Sequence, residues 1–433
     1  MNRGVYSLAL RALSPLVWLW MAHRARRAGG QWEIFSRERF GGAAAPSPAP
    51  SPSFPSWTRP VWVHAVSLGE TRAAQPLLRA LLDRGLPVLL THMTATGRAE
   101  GQRLFPEAIG RGQLRQAWLP YDFPGATRRF MNRHQPRCGL LIEREIWPNL
   151  LAAARRARVP MALVSARYSA SSLRQAGRMG SVMREALAGL DRVLAQTSED
   201  AARLVQAGAP QPIVTGNLKF DLVLPAPQVQ AGRAWRAQRG RPVVAVASTR
   251  EGEDSGFIAA IKRHAAARQG SDAPLFLLIP RHPQRFDEAA RQLAEAGLSF
   301  VRRAEGVEPG PDTTVVLGDT LGEMAFYYAA SDVAVVAGSF APLGGQNLIE
   351  ACAAGVPVIV GPHTFNFKQA AEDAIAAGAA WRVADAGQAV DSAMALLADA
   401  PRRQAASQAA RAWFDTHAGA TRRTLDALAP WLD

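Results

Sequence analysis

Carboxylates that follow apolar, strand-like runs can carry proton-transfer chemistry, and the first half of the chain holds three. In VWVHAVSLGE a strand leads into a tight turn permitted by Gly69, and Glu70 falls on the first turn of the helix TRAAQPLLRALLDRG. An acid there suits the positive end of a helix dipole. It could equally face a ligand at the strand end and take a proton from a hydroxyl as general base. In CGLLIEREIWPNL, Glu143 follows the apolar run directly and Glu145 lies two residues on, so in an extended chain both point to one side. They either hold something or form a surface pair with Arg144 and neighbouring arginines. Pro148 opens the next helix, where a missing N–H is harmless. In VTGNLKFD, Lys219 is one of only three lysines, with Lys262 and Lys368, among 50 basic residues. Keeping a lysine there suggests a compact point charge, against the plain reading of a solvated loop residue.

The second half carries the features expected of an anion site. AVASTREGED places Ser248 and Thr249 at a strand end, able to cap a helix or touch an anion. LFLLIPRHPQRF puts Pro280, Arg281 and His282 at another strand end, and the planar fork of Arg281 suits a phosphate. A lone His282 is more often structural. LGDTLGEMAFYYAASD places Glu323 near a helix start. The richest stretch is VVAGSFAPLGGQNLIEACAAGVPVIVG. Gly344 and Gly345 let backbone N–H groups approach a phosphate, and a helix from Gln346 aims its positive end there. Asn347 and Glu350, three apart, share a face of that helix. A glutamate so placed can accept from both ribose hydroxyls, the strongest nucleotide signal in the chain. No Asp-x-Asp triplet occurs, so arginine, lysine and helix dipoles would have to neutralise a leaving phosphate.

These residues need strands to present them. Strand-like runs at Val61–Val66, Pro87–His92, Cys138–Ile142, Met161–Val164 and Ile213–Val214 alternate with helical stretches. The series restarts at Val243–Ala247, Leu275–Ile279, Thr314–Leu317, Val333–Val336 and Val356–Val360. Apolar strands separated by helices predict parallel sheets covered on both faces. Two such series predict an α/β protein of two doubly wound, Rossmann-like domains, with ligand in the cleft at the strand carboxyl ends. The expected boundaries are 29–222 for an acceptor-side domain, 223–240 for a Pro/Gly-broken linker, and 241–433 for a nucleotide-side domain, its last helix free to pack back. Residues 43–60, rich in proline and serine, read as a mobile loop.

Residues 1–28 read as a membrane-associated helix. Arg3, Ser7, Arg11 and Ser14 fall on one helical face, with Leu8, Leu16 and Leu19 opposite. Trp18 and Trp20 suit a lipid–water interface, and Arg24, Arg26 and Arg27 follow at once. Arg11 at mid-bilayer would be costly, which favours an interfacial helix over a span. No small-residue cleavage site of a signal peptide follows.

With 433 residues, the chain has material for two domains of roughly 200 residues each. A formal charge of +14 favours anionic partners. No nucleic-acid-binding signature accompanies it, which leaves acidic lipid or a phosphorylated substrate. Cys138 and Cys352 are the only cysteines and read as buried free thiols in a reducing compartment, too few and too far apart for a zinc site.

Taken in order, HAVSLGE, LPYDFPGA, EREIWPN, GNLKFD, IPRHP, GDTLGEM, GGQNLIE and GPHTFNF resemble the Kdo (3-deoxy-D-manno-octulosonic acid) transferases, from the N-terminal helix to at least Phe367. The resemblance implies a B-type glycosyltransferase fold, CMP-Kdo as donor, a lipid A precursor (lipid IVA) as acceptor, and inversion without metal or cofactor. It also implies the cytoplasmic face of the inner membrane, as a step in lipopolysaccharide core synthesis. Motif by motif it makes Glu70 the general base, with Glu143 and Lys219 stabilising the transition state. Pro280, Arg281, Leu321, Gly322, Glu323, Asn347, Leu348, Ile349 and Glu350 would hold the cytidine monophosphate, with Ser248, Gly344 and Gly345 as further donor or phosphate contacts. The chain departs from the family pattern at Arg144, where threonine is usual, and at Arg250 and Gln346, where histidine is usual. SARYSASS is a loose version of NARLSxRS. Two other readings compete. Another B-type enzyme on a nucleotide sugar, a lipid glycosyltransferase or an epimerase, would prefer a uridine nucleotide. A non-enzymatic basic membrane or nucleic-acid binding protein would have no need of Glu70.

Overall fold

The computed structural model describes residues 1–28, 32–43, 57–267 and 273–433. It divides into two compact units, one of Met1–Leu222 with Ala418–Asp433, the other of Val223–His417. Residues 44–56 of the Pro/Ser stretch lie outside the described residues.

The first unit is built on a seven-stranded parallel sheet. Its strands are β1 (Val61–His64), β2 (Val88–His92), β3 (Leu114–Trp118), β4 (Cys138–Ile142), β5 (Met161–Ala166), β6 (Arg192–Ala195) and β7 (Ile213–Val214). The spatial order is β3-β2-β1-β4-β5-β6-β7. Every residue of β1, β2, β4 and β5 is buried, as continuous apolar runs require when helices cover both faces. Val61 pairs with Val88 on one side and Cys138 on the other, so the order reverses between β1 and β4. Such a reversal opens a crevice at the carboxyl ends of the two strands.

Leu77, Leu78 and Leu81 of the helix Gln75–Asp83 pack on one face together with Leu425, Leu428 and Leu432. Phe130 and Met131 of Pro124–His134 and Leu150 and Leu151 of Pro148–Arg156 pack on the other. The helix expected after Glu70 is two helices, Leu68–Ala73 and Gln75–Asp83. Pro76 has no N–H and its ring crowds the preceding turn, so the first helix stops at Ala74.

The second unit repeats the plan with β8 (Val243–Thr249), β9 (Leu275–Pro280), β10 (Phe300–Arg302), β11 (Val315–Leu317), β12 (Val333–Val336), β13 (Val358–Val360) and β14 (Ala380–Arg382). All pairs are parallel, in the order β10-β11-β9-β8-β12-β13-β14. The reversal here lies between β8 and β12. Residues 223–240, expected as a linker, contain the helix Ala226–Ala237 of this unit. Pro227 sits in its first turn, where proline is tolerated. Gly232 is where this helix approaches closely, because a Cβ there would come within 2.4 Å of the Phe326 carbonyl oxygen. The 241–433 domain was expected with a last helix free to pack back, and the second unit closes at His417. The helix Ala420–Leu432 belongs to the first unit, where the Asp221 carboxylate accepts the N–H groups of Gly419, Ala420 and Thr421.

The N-terminal helix, Arg3–Ala28, sets Ser7 and Ser14 of its polar stripe against the first unit, while Arg11 stays exposed. The Tyr6 hydroxyl donates to Asp122 at 3.0 Å, Ser7 Oγ lies 3.1 Å from Asn149 Oδ1, and Ser14 is only 8% exposed. Leu8, Leu16 and Leu19 are 69%, 64% and 68% exposed. Trp18, expected at a lipid interface, packs on Phe40 and Tyr121, whereas Trp20 is exposed with Arg24 over its ring.

Candidate active site

In the first unit the candidate residues gather at the β1/β4 reversal. Three residues separate β1 from the short helix Leu68–Ala73, and Glu70 lies in its first turn. The turn does not depend on Gly69, since a Cβ there would meet nothing within 4 Å and its φ is not left-handed. What closes it is Glu70 itself, whose Oε2 accepts the Val66 N–H at 2.6 Å. Burial, then the negative charges of Glu145 and Glu143, push the Glu70 pKa from 4.5 up to about 8, against the pull of the Val66 N–H and Lys219. A carboxylate poised this close to neutrality can accept a proton and pass it on.

Glu143 and Glu145 reach the same place by a different route from the one expected. The chain turns sharply at the end of β4, and Glu143 takes the left-handed φ of +61°, so the two acids are not on one side of an extended strand. A non-glycine residue held there stores backbone strain, a feature that clusters at functional sites. Glu143 Oε1 binds Lys219 Nζ at 2.7 Å. Lys219 is presented by a 3₁₀ turn, Leu218–Asp221, that the Asn217 side chain caps by accepting the Lys219 N–H at 3.0 Å. Glu145 Oε2 accepts the Trp147 indole N–H at 2.9 Å and lies 3.8 Å from Nε2 of His64.

Sequence reasoning assigned no role to His64 or Asp122, yet both shape this corner. His64 is fully buried on β1, with Nδ1 against Thr91, and its Nε2 has no hydrogen-bond partner among the described residues. Asp122 receives the N–H groups of Asn149 and Leu150 at 3.0 and 2.7 Å, which fixes the start of the helix after EREIW. Burial raises the Asp122 pKa to about 7 even so. The clue to Asp122 was its place in LPYDFPGA, but nothing local in the sequence shows which helix it caps.

In the second unit the residues again follow the central strands. Arg281 comes directly after β9, its N–H bonded to the Thr249 carbonyl at 2.9 Å, and Pro280 ends that strand. His282 beside it has its pKa lowered by burial and then by the positive charges of Arg250 and Arg281. That basic neighbourhood suits an anion. Burial first, then the negative charge of Glu350, holds the Tyr328 hydroxyl protonated, and Arg281 pulls the other way.

The helix expected from Gln346 begins only at Ile349 and runs to Ala353. Asn347 therefore precedes it, accepting the Ile349 N–H at 3.1 Å and donating to Glu350 Oε1 at 3.1 Å; Leu348 and Ile349 are buried. Gly344 and Gly345 are both left-handed, at φ +93° and +80°. The Gly345 N–H is already given to the Gly338 carbonyl at 2.7 Å, and Gly344 lies against Asn366 and Phe365. These glycines thus pack a loop, and Gly345 has no N–H left for a phosphate. Ser248 caps no helix, because the next begins at Asp254; it is held at φ +60° and is 9% exposed.

Glu323 sits before the helix Met324–Ala329. Burial alone would raise its pKa, but hydrogen bonds from Arg303 and Thr320 outweigh it and hold the carboxylate below its usual range. Leu321 and Gly322 are exposed next to it. Sequence reasoning also missed Glu253. It is buried and accepts the N–H groups of Arg250, Gly338, Phe340 and Ala341, tying the loop after β12 to the loop after β8. Nothing in TREGED distinguishes it from Glu251.

Residues 36–222 match the family model described as 3-deoxy-D-manno-octulosonic-acid transferase, and residues 298–413 match that of glycosyl transferases group 1. A 3-deoxy-D-manno-octulosonic acid transferase of Bordetella pertussis is 72% identical over 433 residues, all of both chains. One of Haemophilus influenzae is 32% identical over 86% of this chain and 87% of its own. In fold, the chain is similar to UDP-GlcNAc 2-epimerase from Neisseria meningitidis, with a TM-score of 0.53 over 86% of this chain and 99% of that one, at 13% identity. A shared fold at that identity fixes the two-domain, B-type architecture and leaves the chemistry to the sequence relatives. By the family model over residues 36–222 and by these two relatives, the chain belongs to the Kdo transferase family of glycosyltransferases.

Proposed function

We propose that the protein transfers Kdo from CMP-Kdo to a hydroxyl of a lipid A precursor, lipid IVA, by single inverting displacement with Glu70 as general base. Glu70 removes the proton from the acceptor hydroxyl, whose oxygen forms a bond to the anomeric carbon. The bond from that carbon to the phosphate oxygen breaks, and cytidine monophosphate leaves with the electron pair. The observation that carries this reading is the Glu70 carboxylate, whose proton affinity is raised to about 8 by burial and by two neighbouring acids. The charge pair of Lys219 and Glu143 stabilises charge developing at the reacting carbon. Arg281 receives the leaving phosphate, Glu350, ordered by Asn347, holds the ribose, and Glu323, Leu321 and Gly322 border the nucleotide.

No cofactor or metal enters this scheme, because protein cations offset the phosphate charge. The exposed apolar side of the N-terminal helix lies on the cytoplasmic leaflet of the inner membrane, where the acceptor resides. Incubation with CMP-Kdo and tetraacylated lipid A precursor, followed by mass measurement of the lipid, should show addition of Kdo that persists in a metal chelator. A product formed only from a uridine nucleotide sugar would refute the donor assignment. Turnover lost in chelator and restored by magnesium would refute metal independence.

A further inference from the structure

A cavity of about 620 Å³ lies between the N-terminal helix and the helices Pro124–His134 and Pro148–Arg156 of the first unit. Arg3 and Arg11 enter it from the first helix, Arg128 from the second and Arg156 from the third, while Leu8 and Met131 give it apolar wall. Among the described residues, no acidic one lines it. None of the four arginines forms an ion pair with a described residue, whereas Arg72, Arg103, Arg236 and Arg302 elsewhere each find a carboxylate. Four like charges converging on one hollow repel one another unless an anion joins them.

Both the charge and the apolar wall bear on what that anion is. The exposed leucines Leu8, Leu16 and Leu19 lie along the same N-terminal helix, so an amphiphile lying beside that helix can place its head among the arginines and its chains against the apolar side. We propose that this cavity binds the phosphate of a single anionic bilayer phospholipid, a proposal that rests on the membrane attachment given above. The cavity is separate from the reacting groups. Glu70, Glu143 and Lys219 do not line it, and its helices cover the face of the sheet opposite to the one covered by Gln75–Asp83. The site turns a diffuse attraction to negative membrane into a stoichiometric one, and it seats the helix that carries Tyr6 and Ser7 onto Asp122 and Asn149.

The test uses the full chain in neutral detergent micelles with dioleoylphosphatidylglycerol as probe, read by native mass spectrometry and by titration. The wild type should hold one lipid per chain. Arg128→Gln with Arg156→Gln, both exposed and outside any ion pair, should weaken that binding about thirtyfold, from roughly a fivefold loss per arginine. Arg79→Gln with Arg84→Gln, on the other side of the sheet, should leave it unchanged. Equal loss or equal retention in the two double variants overturns the site. Retention of tetraacylated lipid A precursor in clear preference to phosphatidylglycerol overturns the assignment to bilayer lipid and makes the cavity an acceptor-phosphate site. Sedimentation with phosphatidylglycerol vesicles is measured separately: its failure in the wild type refutes membrane attachment, while the micelle titration still reads the cavity.

Discussion

Replacing Glu70 by glutamine should make the protein more stable and nearly inactive at once. The glutamine carbonyl can still accept the Val66 N–H that Glu70 accepts at 2.6 Å, so the turn is kept. What is lost is a carboxylate whose pKa rises from 4.5 in the open chain to about 8 in the fold. The sign follows from the direction of the shift. The folded state binds the proton more tightly, so stability is greatest below about pH 4.5, falls as pH rises towards 8 and levels off above it. At pH 7 the full shift costs the wild type about 3 kcal/mol relative to an untitrated group. Glu70 is only partly buried, and solvent screening brings this to about 2 kcal/mol. For a unit of this size that is a rise of roughly 4–8 °C in Tm for the glutamine variant, against a fall of about a hundredfold to ten-thousandfold in turnover. Thermal denaturation of both proteins from pH 4 to 9, with activity measured on the same samples, checks both halves. Near-normal turnover in the variant would reduce Glu70 to a turn-closing residue and leave Glu143 the leading candidate base. A stability difference that stays constant with pH would show that Glu70 does not titrate as the geometry requires.

Three further outcomes are expected. Glu145→Gln removes the larger of the two like charges on Glu70, so the acid limb of the kcat/KM profile should move to lower pH by on the order of one unit; an unmoved limb would detach Glu145 from the base. Glu350→Gln should weaken binding of cytidine monophosphate by about tenfold or more, the worth of one charge-assisted hydrogen bond, with kcat at saturating donor little changed; calorimetry that finds normal affinity would remove Glu350 from the nucleotide site. Leu16→Glu with Leu19→Glu, both on the exposed side of the N-terminal helix, should abolish sedimentation with anionic vesicles while leaving nucleotide binding intact, and unchanged sedimentation would count against attachment through that side.

The central strands could be read directly because they are buried on both faces and therefore continuously apolar. β4, β7 and β12 match their expected limits, and the other seven expected strands differ by one or two residues. The strands that escaped notice are β3, β6, β10 and β14. β3, β10 and β14 are edge strands, β3 with Arg115 and Gln116 half-exposed, and β6 opens on the exposed Arg192. Glycine and proline misled where they were taken as breaks. Pro227 starts a helix and Gly232 packs it, so a helix was read as a linker. The site was legible as a set of residues behind strands, but its wiring was not. Nothing in LGGQNLIE shows that Gly345 gives its N–H to Gly338, or that Asn347 lies before the helix instead of belonging to it. Those facts depend on which distant loop lies alongside. Glu253 and Asp122 stayed hidden for the same reason, since a buried acid is recognised by the backbone N–H groups that converge on it.

The return of Ala420–Leu432 to the first unit sets an order of events during synthesis. Leu425, Leu428 and Leu432 complete the layer begun by Leu77, Leu78 and Leu81, yet the whole of the second unit is made in between. At translation rates of about 5–20 residues per second that interval lasts on the order of ten seconds or more. Throughout it, one flank of the first sheet is bare and apolar, and the nascent chain is a natural client for a holding chaperone. Val223–His417 can be excised as one continuous fragment, whereas the first unit cannot. A stop codon just after His417 would therefore give a first domain lacking a wall, prone to aggregate or be degraded before its chemistry could be measured.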